Sequence, residues 1–183
     1  WSVAIDTNQI VPTLVYPADA SYINNNDPMY TWLSRLGVSE YWIEVRTNNG
    51  SGSIVYFNTN VNPGSQTNIQ LGALSDGLFV WHVRARKTAT GEWQDWANYN
   101  SFTVDTIDPS MISLLTPVSN TITNSSILTL KWNAGSDLNG IAYYEVDTNG
   151  VTVNNGVSTS FVTGAFSEGT NNWRVRAVDP AGN

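Results

Sequence analysis

The chain repeats itself, and this repetition limits its fold more than any other feature. Residues 13–17 match residues 113–117, and residues 81–85 match residues 173–177. The chain of 183 residues therefore contains two copies of one module. A module of about half the chain buries enough apolar surface to fold without a metal or a disulfide.

Apolar and polar residues alternate within each copy. Turn residues interrupt the alternating runs about every ten residues, as at Pro63-Gly64 and Asp76-Gly77. Alternation with a period of two predicts β-strands, and no stretch predicts a helix of consequence. About seven short antiparallel strands per copy predict an all-β chain of two tandem β-sandwiches.

One face of the penultimate strand in each copy is apolar and is predicted to point into the core. In the first copy Trp81 and Val83 point inward and His82 points outward. Paired tryptophans from facing strands would give each sandwich a large rigid core. In the second copy the matching inward residues and the tryptophan facing them are Trp173, Val175, Ala177 and Trp132.

The composition excludes most kinds of catalytic site. His82 is the single histidine, and cysteine is absent. A structural zinc site needs about four Cys or His ligands, and a thiol nucleophile needs Cys. A net charge of -7 argues against nucleic acid and anionic lipid as partners. No stretch approaches the roughly 20 apolar residues of a membrane span.

Two outward glutamates are the strongest candidates for acid–base chemistry. Glu44 is predicted to face Arg84, and Glu145 is predicted to face Arg176. A cross-strand ion pair explains each couple, whereas a glycosidase needs two carboxyls at a set separation around a cleft. We therefore predict a protein that is not an enzyme, with no catalytic residues and no bound cofactor.

Four aspartates near the predicted module ends leave a cation site open. Their carboxylates would supply the oxygen ligands that an interdomain calcium ion prefers. Aspartate in such positions is also ordinary turn chemistry, which we favour, so no metal-binding residue is assigned. The four residues are Asp105, Asp108, Asp137 and Asp179.

Aromatic residues outside the predicted core are the ligand candidates. Trp42 and Trp93 are predicted to be exposed, where they would stack on sugar rings or anchor a protein partner. Trp96 is predicted to cover the edge of the sandwich, and His82 is predicted to be an exposed strand residue.

Several short sequence segments resemble those of tandem immunoglobulin-like or fibronectin type III-like modules of large microbial (bacterial or archaeal) surface proteins. The resemblance implies immunoglobulin-like sandwiches in an extracellular, cell-surface protein that serves as a stalk, an adhesive tip or a filament unit. A fibronectin-type tyrosine corner would place Tyr where Phe79 and Asn171 stand, and neither copy has it. The segments are residues 74–77, 81–85, 166–169 and 173–183, and the junction of residues 102–106 with Pro109.

The repeat starts with a copy of a last strand and ends before one, and this offset predicts strand exchange. Residues 1–7 match residues 100–106, the last strand of the first copy. We therefore divide the chain into an extra terminal strand at residues 1–7, module 1 at residues 8–106, and module 2 at residues 107–183 without a last strand. The candidate self-assembly residues are Trp1, Val3 and Ile5, and the candidate acceptor residues are Trp132, Trp173, Val175 and Ala177.

Two arrangements explain this offset. Either the chain is a section of a longer repeat array, or residues 1–7 complete module 2 of a neighbouring subunit in a head-to-tail filament. We predict a non-enzymatic extracellular structural protein, a filament subunit or a repeat section of a surface stalk. Its partners would be other copies of itself or neighbouring repeats. The alternative is an adhesin or carbohydrate-binding module that uses Trp42 and Trp93.

Overall fold

The computed structural model describes residues 9–61 and 67–183. The chain divides into two compact units, modules 1 and 2, with the boundary between Thr106 and Ile107. Apart from a three-residue 3-10 turn at Asn48–Gly50, every regular element in the described ranges is a β-strand. This confirms the predicted all-β class. No helix in those ranges is long and apolar enough to cross a membrane.

Module 1 is a sandwich of a three-stranded sheet, ordered β1-β3-β6, and a five-stranded sheet, ordered β2-β8-β7-β4-β5. Paired strands are antiparallel except β2, which runs parallel to β8. Alternation does not predict β2, because a strand of three residues is too short to show a period. The strands are β1 (Thr13–Tyr16), β2 (Ser21–Ile23), β3 (Met29–Leu33), β4 (Val38–Thr47), β5 (Ile54–Val61), β6 (Asn68–Gln70), β7 (Gly77–Lys87) and β8 (Asn100–Val104).

Module 2 has two three-stranded sheets, ordered β13-β10-β9 and β12-β11-β14. Within the described ranges β14 pairs with β11 and with no other strand, so its second backbone edge has no described partner. The strands are β9 (Leu114–Thr116), β10 (Thr129–Trp132), β11 (Tyr143–Thr148), β12 (Val151–Asn154), β13 (Ser160–Val162) and β14 (Trp173–Val178).

Aromatic packing between the sheets fills module 1. Trp81 is fully buried and meets Tyr30 edge-to-face, with ring centroids 5.3 Å apart. Its Nε1 donates a hydrogen bond to the backbone oxygen of Pro17 at 3.0 Å. Trp32 contacts Tyr41 in the same way, also at 5.3 Å. The prediction that Trp81 and Val83 point inward is confirmed, since both are buried. Four neighbouring residues are buried with them: Tyr30, Trp32, Phe79 and Ala85.

Module 2 has a smaller core. Trp132 is buried and contacts Tyr144 with ring centroids 5.7 Å apart. Trp173 and Val175 are only half-buried, whereas their counterparts in β7 are fully buried. Trp173 and Val175 are more exposed because no described strand lies beyond β14, whereas β8 lies beside β7 in module 1.

Replacing Trp132 by Ala should destabilise module 2 by about 3–5 kcal/mol, because the change leaves a large cavity in a small core. Urea denaturation with hydrogen exchange read out at β11 measures the loss. Leu138→Ala is the control: Leu138 is 94% exposed, and the change should cost less than about 0.5 kcal/mol. Equal effects of the two substitutions would contradict the placement of Trp132.

Candidate functional site

The outer face of the five-stranded sheet in module 1 is covered, although alternation predicts that it faces solvent. Residues 88–99, here called the covering segment, follow β7 and return along its edge. The Gln94 amide donates to the Ala85 oxygen at 2.8 Å, and the Ala97 amide donates to the Val83 oxygen at 2.9 Å. These bonds place the aromatic residues of the covering segment over the outward side chains of β4 and β7.

Arg84 lies within a cage of three tryptophans. Its guanidinium carbon is 3.9 Å from a ring centroid of Trp42, 4.7 Å from that of Trp96 and 4.9 Å from that of Trp93. Its Nε is buried and has no hydrogen-bond partner among the described residues. Since a cation within about 6 Å of an aromatic centroid is attracted by the ring, these contacts hold Arg84 and tie the covering segment to the sheet.

Trp42 is also packed against other rings. It makes edge-to-face contacts with Phe57, Trp93 and Trp96, with centroids 4.6, 5.3 and 5.8 Å apart. Trp42 and Trp93 are half-buried rather than exposed as predicted. Their role as ligand aromatics stays a prediction. The more exposed rings at this face are Phe57, at 47%, and Tyr99, at 40%.

The prediction that His82 is exposed is wrong, because His82 is only 6% exposed. Its ring stacks between Trp96 and Tyr99, with centroids 3.9 and 4.0 Å away and interplanar angles of 8° and 19°. Trp96 therefore lies on the outer face and not at the sandwich edge. The signal in the sequence was the density of aromatic residues after β7, where Trp93, Trp96 and Tyr99 fall within seven residues.

Glu44 pairs with Arg46 and His82 rather than with its predicted partner Arg84. The strand register places His82 opposite Glu44 and Trp42 opposite Arg84. Glu44 Oε1 accepts a hydrogen bond from Arg46 Nε and lies 3.4 Å from His82 Nε2. Burial acts to raise the pKa of Glu44, but Arg46 and His82 bring it below its ordinary value. A carboxylate held in its charged form is a poor general acid.

The outer face of module 2 carries exposed ion pairs instead. Arg176 Nε donates to Glu145 Oε2 at 2.6 Å, which confirms the predicted pair, and Arg174 lies 3.5 Å from Asp147. The side chains of Arg176 and Arg174 are 68% and 81% exposed. Such surface pairs contribute about 0–1 kcal/mol each, which is consistent with a structural role.

The structure describes only some of the residues that are predicted to take part in strand exchange. Trp1, Val3 and Ile5 lie outside the described residues. Of the predicted acceptor residues, Trp132 and Ala177 are buried in the core of module 2. Trp173 and Val175 are half-buried on β14, whose outer edge has no described partner. The exchange itself stays a prediction.

Two of the four candidate aspartates, Asp137 and Asp179, accept the hydrogen bonds of ordinary turns. Asp105 directly follows β8 and is buried, whereas Asp108 is exposed. In module 2 the carboxylate oxygens of Asp137 and Asp179 lie within 4.8 Å of each other. The alternative of an interdomain calcium ion stays a hypothesis. Asp179 Oδ1 accepts the backbone N–H groups of Ala181, Gly182 and Asn183 at 2.8, 2.8 and 3.1 Å.

Replacing Arg84 by Ala should destabilise module 1 by about 1–3 kcal/mol, because the change removes a guanidinium from three aromatic contacts. Arg176→Ala is a matched control at the equivalent position of module 2, where loss of one exposed pair should cost less than about 1 kcal/mol. Urea denaturation with hydrogen exchange at β7 and β14 assigns each loss to its module. A smaller loss for Arg84→Ala than for the control would contradict the role of the cage.

Module 1 should lose thermal stability between about pH 7.5 and 5.5. Burial lowers the pKa of His82 below its ordinary value of 6.5, although Glu44 acts against this shift. The folded protein therefore binds fewer protons than the unfolded chain as the pH falls through 6.5, and stability falls with it. Glu44 adds a further loss only below its ordinary pKa of 4.5.

Calorimetry on the wild type and on His82→Phe checks this pH effect. Phenylalanine keeps an aromatic ring between Trp96 and Tyr99 but binds no proton, so the melting temperature of the variant should depend less on pH. An identical pH dependence in both proteins would show that His82 does not titrate in this window.

Comparison with known proteins shows one partial sequence relative. No family model matches the chain. A stretch of 82 residues is 44% identical to "Chitinase Chi52" of Paenibacillus xylanexedens, and it covers 44% of this chain and 15% of that protein. The match therefore includes only a small part of the length of the chitinase.

Solved structures show the fold more completely. The fibronectin(III)-like modules of Clostridium thermocellum CbhA match with a TM-score of 0.67 and 15% identity, over 93% of this chain and 87% of that one. The FN1–FN3 domains of chicken CNTN1 match with a TM-score of 0.56 and 14% identity, over 95% of this chain and 60% of that one. Together with the two β-sandwiches described above, these similarities show that the chain has the fold of tandem fibronectin type III-like modules.

Proposed function

We propose that this chain is a non-catalytic, extracellular structural section whose modules are joined in series by β-strand complementation at β14. In this role the two sandwiches act as spacers between other parts of an assembly. The assembly is either a surface stalk, of which the chain is a repeat section, or a filament, of which it is a subunit. The observation that carries the proposal is the edge of β14 that has no partner strand among the described residues.

The inner face beside that edge is incompletely covered. Trp173 and Val175 are half-buried, whereas Trp81 and Val83 at the equivalent positions of module 1 are fully buried. Trp81 lies beside β8, and Val83 lies beside the covering segment. A free strand edge with apolar neighbours is a template for another strand and a site of unwanted aggregation if nothing fills it. An added strand would pair with the backbone of β14 and cover these side chains.

The comparisons support the setting of the proposal. The matched stretch of Chi52 is 82 residues, about the size of one module, and forms 15% of that protein. A module that makes up a small part of a chitinase is consistent with an accessory section that carries no catalytic residues. A secreted, polysaccharide-degrading or surface-anchored protein is therefore the context that we propose.

Hydrogen exchange tests the complementation. A synthetic peptide with the sequence of residues 1–7 should slow amide exchange in β14 when it is added to the chain, because it supplies backbone partners along the free edge. A control peptide in which Val3 and Ile5 are replaced by Ser should give little protection, since it lacks the apolar side chains. If β14 exchange is unchanged at saturating peptide, the structural role based on complementation is wrong.

A second candidate function is carbohydrate binding at the outer face of module 1. It is favoured by the chitinase relative and by the partly exposed rings of Phe57 and Tyr99 beside the cage of Arg84. Sugar rings stack on exposed aromatic faces. Co-sedimentation with insoluble chitin tests it: retention that is lost in Phe57→Ala would favour binding, whereas no retention of the wild type would exclude chitin as its ligand.

A further inference from the structure

An open groove lies on the outer face of the β12-β11-β14 sheet in module 2. It consists of two adjoining clefts of about 520 and 410 Å³, which share Asp147 and Arg174. Clefts of this size are typical of ligand sites in proteins. The residues that line both clefts come from β11, β12, the turn between these strands, and residues 172–176. The groove is therefore built entirely within module 2.

The strand register arranges the charged side chains of the groove in two rows. Glu145 lies opposite Arg176, and Asp147 lies opposite Arg174. Val146, between the two acids, is buried in the core, so alternation directs both carboxylates to the outer face. A row of carboxylates on β11 thus runs beside a row of guanidinium groups on β14.

The charges of the two rows cancel. Two carboxylates stand against two guanidinium groups, and each acid is paired with the arginine opposite it. The groove therefore has no excess charge with which to hold an ionic ligand. The net charge of the chain, -7, further disfavours a polyanion. These charges favour an uncharged ligand.

The ion pairs use only part of the hydrogen-bonding capacity of these groups. Arg176 donates to Glu145 through Nε, and Arg174 Nη2 lies 3.5 Å from Asp147 Oδ2, a long distance for a hydrogen bond. The side chains of both arginines are mostly exposed. A guanidinium has five N–H donors, and a carboxylate has about four acceptor sites. Adjacent donors and acceptors suit a ligand rich in hydroxyl groups, because each hydroxyl both donates and accepts.

An aromatic ring extends this face beyond the charged rows. Tyr143 precedes Glu145 by two residues on β11, and the intervening Tyr144 is buried in the core. Tyr143 therefore points outward, and it is half-buried. It lies near Arg176, whose pKa is raised first by Glu145 and then by the Tyr143 phenol. An aromatic face beside fixed polar groups is a combination that holds a sugar ring.

The polar character of the face argues against a protein partner. Besides the charged rows, the outward positions of β12 beside β11 hold Thr152 and Asn154, which lie opposite Asp147 and Glu145. Protein interfaces are anchored by large aromatic or aliphatic side chains that insert into pockets. A face of hydroxyl, amide and charged groups is better matched to a small hydroxylated ligand.

We propose that this groove binds a neutral oligosaccharide, whose hydroxyl groups bond to Asp147 and Arg174 and one of whose rings stacks on Tyr143. β11 extends over Tyr143–Thr148. A strand of this length spans about 17 Å, enough for more than one sugar ring. The site goes beyond the proposed function, because neither complementation at the edge of β14 nor sugar binding on module 1 requires it.

Titration followed by NMR tests the site. Cellotriose and chitotriose, two neutral trisaccharides, should each cause saturable shifts of the amide signals of residues 147–152 and 172–176. Arg174→Ala should weaken the affinity about tenfold, because it removes a charged hydrogen-bond donor. Since the Arg174 side chain is 81% exposed, this variant should fold normally. The matched control is Lys131→Ala, an exposed charge on the other sheet of module 2, and its affinity should be unchanged.

A second variant tests the aromatic contact. Tyr143→Ala should weaken binding several-fold while the shifts at residues 172–176 remain, because the polar rows are intact. If this variant fails to fold, Arg174→Ala alone decides. Equal affinities of Arg174→Ala and Lys131→Ala overturn the site.

Three further outcomes also overturn the proposal. The first is an absence of shifts with both trisaccharides at the limit of their solubility. The second is shifts confined to module 1, which would assign sugar binding to that module. The third is tighter binding of trigalacturonate, an anionic trisaccharide, which would contradict the neutral class of ligand. Complementation at β14 is measured separately by hydrogen exchange, so its success or failure leaves these results unaffected.

Discussion

The architecture of module 1 depends on the complete enclosure of β7. One edge of this strand pairs with β4, and the other pairs first with β8 and then with the covering segment. Its inward side chains pack against β3, and its outward side chains pack beneath the aromatic rings of residues 88–99. Backbone polar groups at the centre of the strand therefore find partners without water. The hydrogen bond from Trp81 to Pro17 and the cage around Arg84 both require this enclosure.

The core was predictable from the sequence because its signal is local and regular. Alternation places Trp81, Val83 and Ala85 on one face, and the repeat gives the same pattern a second time in Trp173, Val175 and Ala177. The outer face was not predictable in the same way, since alternation says only which side chains point away from the core. Whether those side chains meet water depends on how a later, irregular connection folds back.

His82 and Glu44 show where local reasoning ends. Both occupy outward positions on their strands, and both are 6% exposed because residues 88–99 lie over them. The predicted partner of Glu44 was wrong. The residue opposite Glu44 is His82, and Arg84 is the next residue of β7 on the same face. The equivalent prediction for Glu145 and Arg176 was correct, because the pairing of β11 with β14 places these two residues directly opposite each other.

The contrast between the caged Arg84 and the exposed Arg176 gives the two modules different responses to salt. The Debye length falls from about 8 Å at physiological ionic strength to about 3 Å at 1 M, so attraction between exposed charges such as Arg176 and Glu145 is screened in brine. The guanidinium carbon of Arg84 lies 3.9 Å from the ring centroid of Trp42, and its Nε is buried. Concentrated salt thus loosens the outer face of module 2 while that of module 1 persists, and an array of such repeats would vary in salt tolerance from one module to the next.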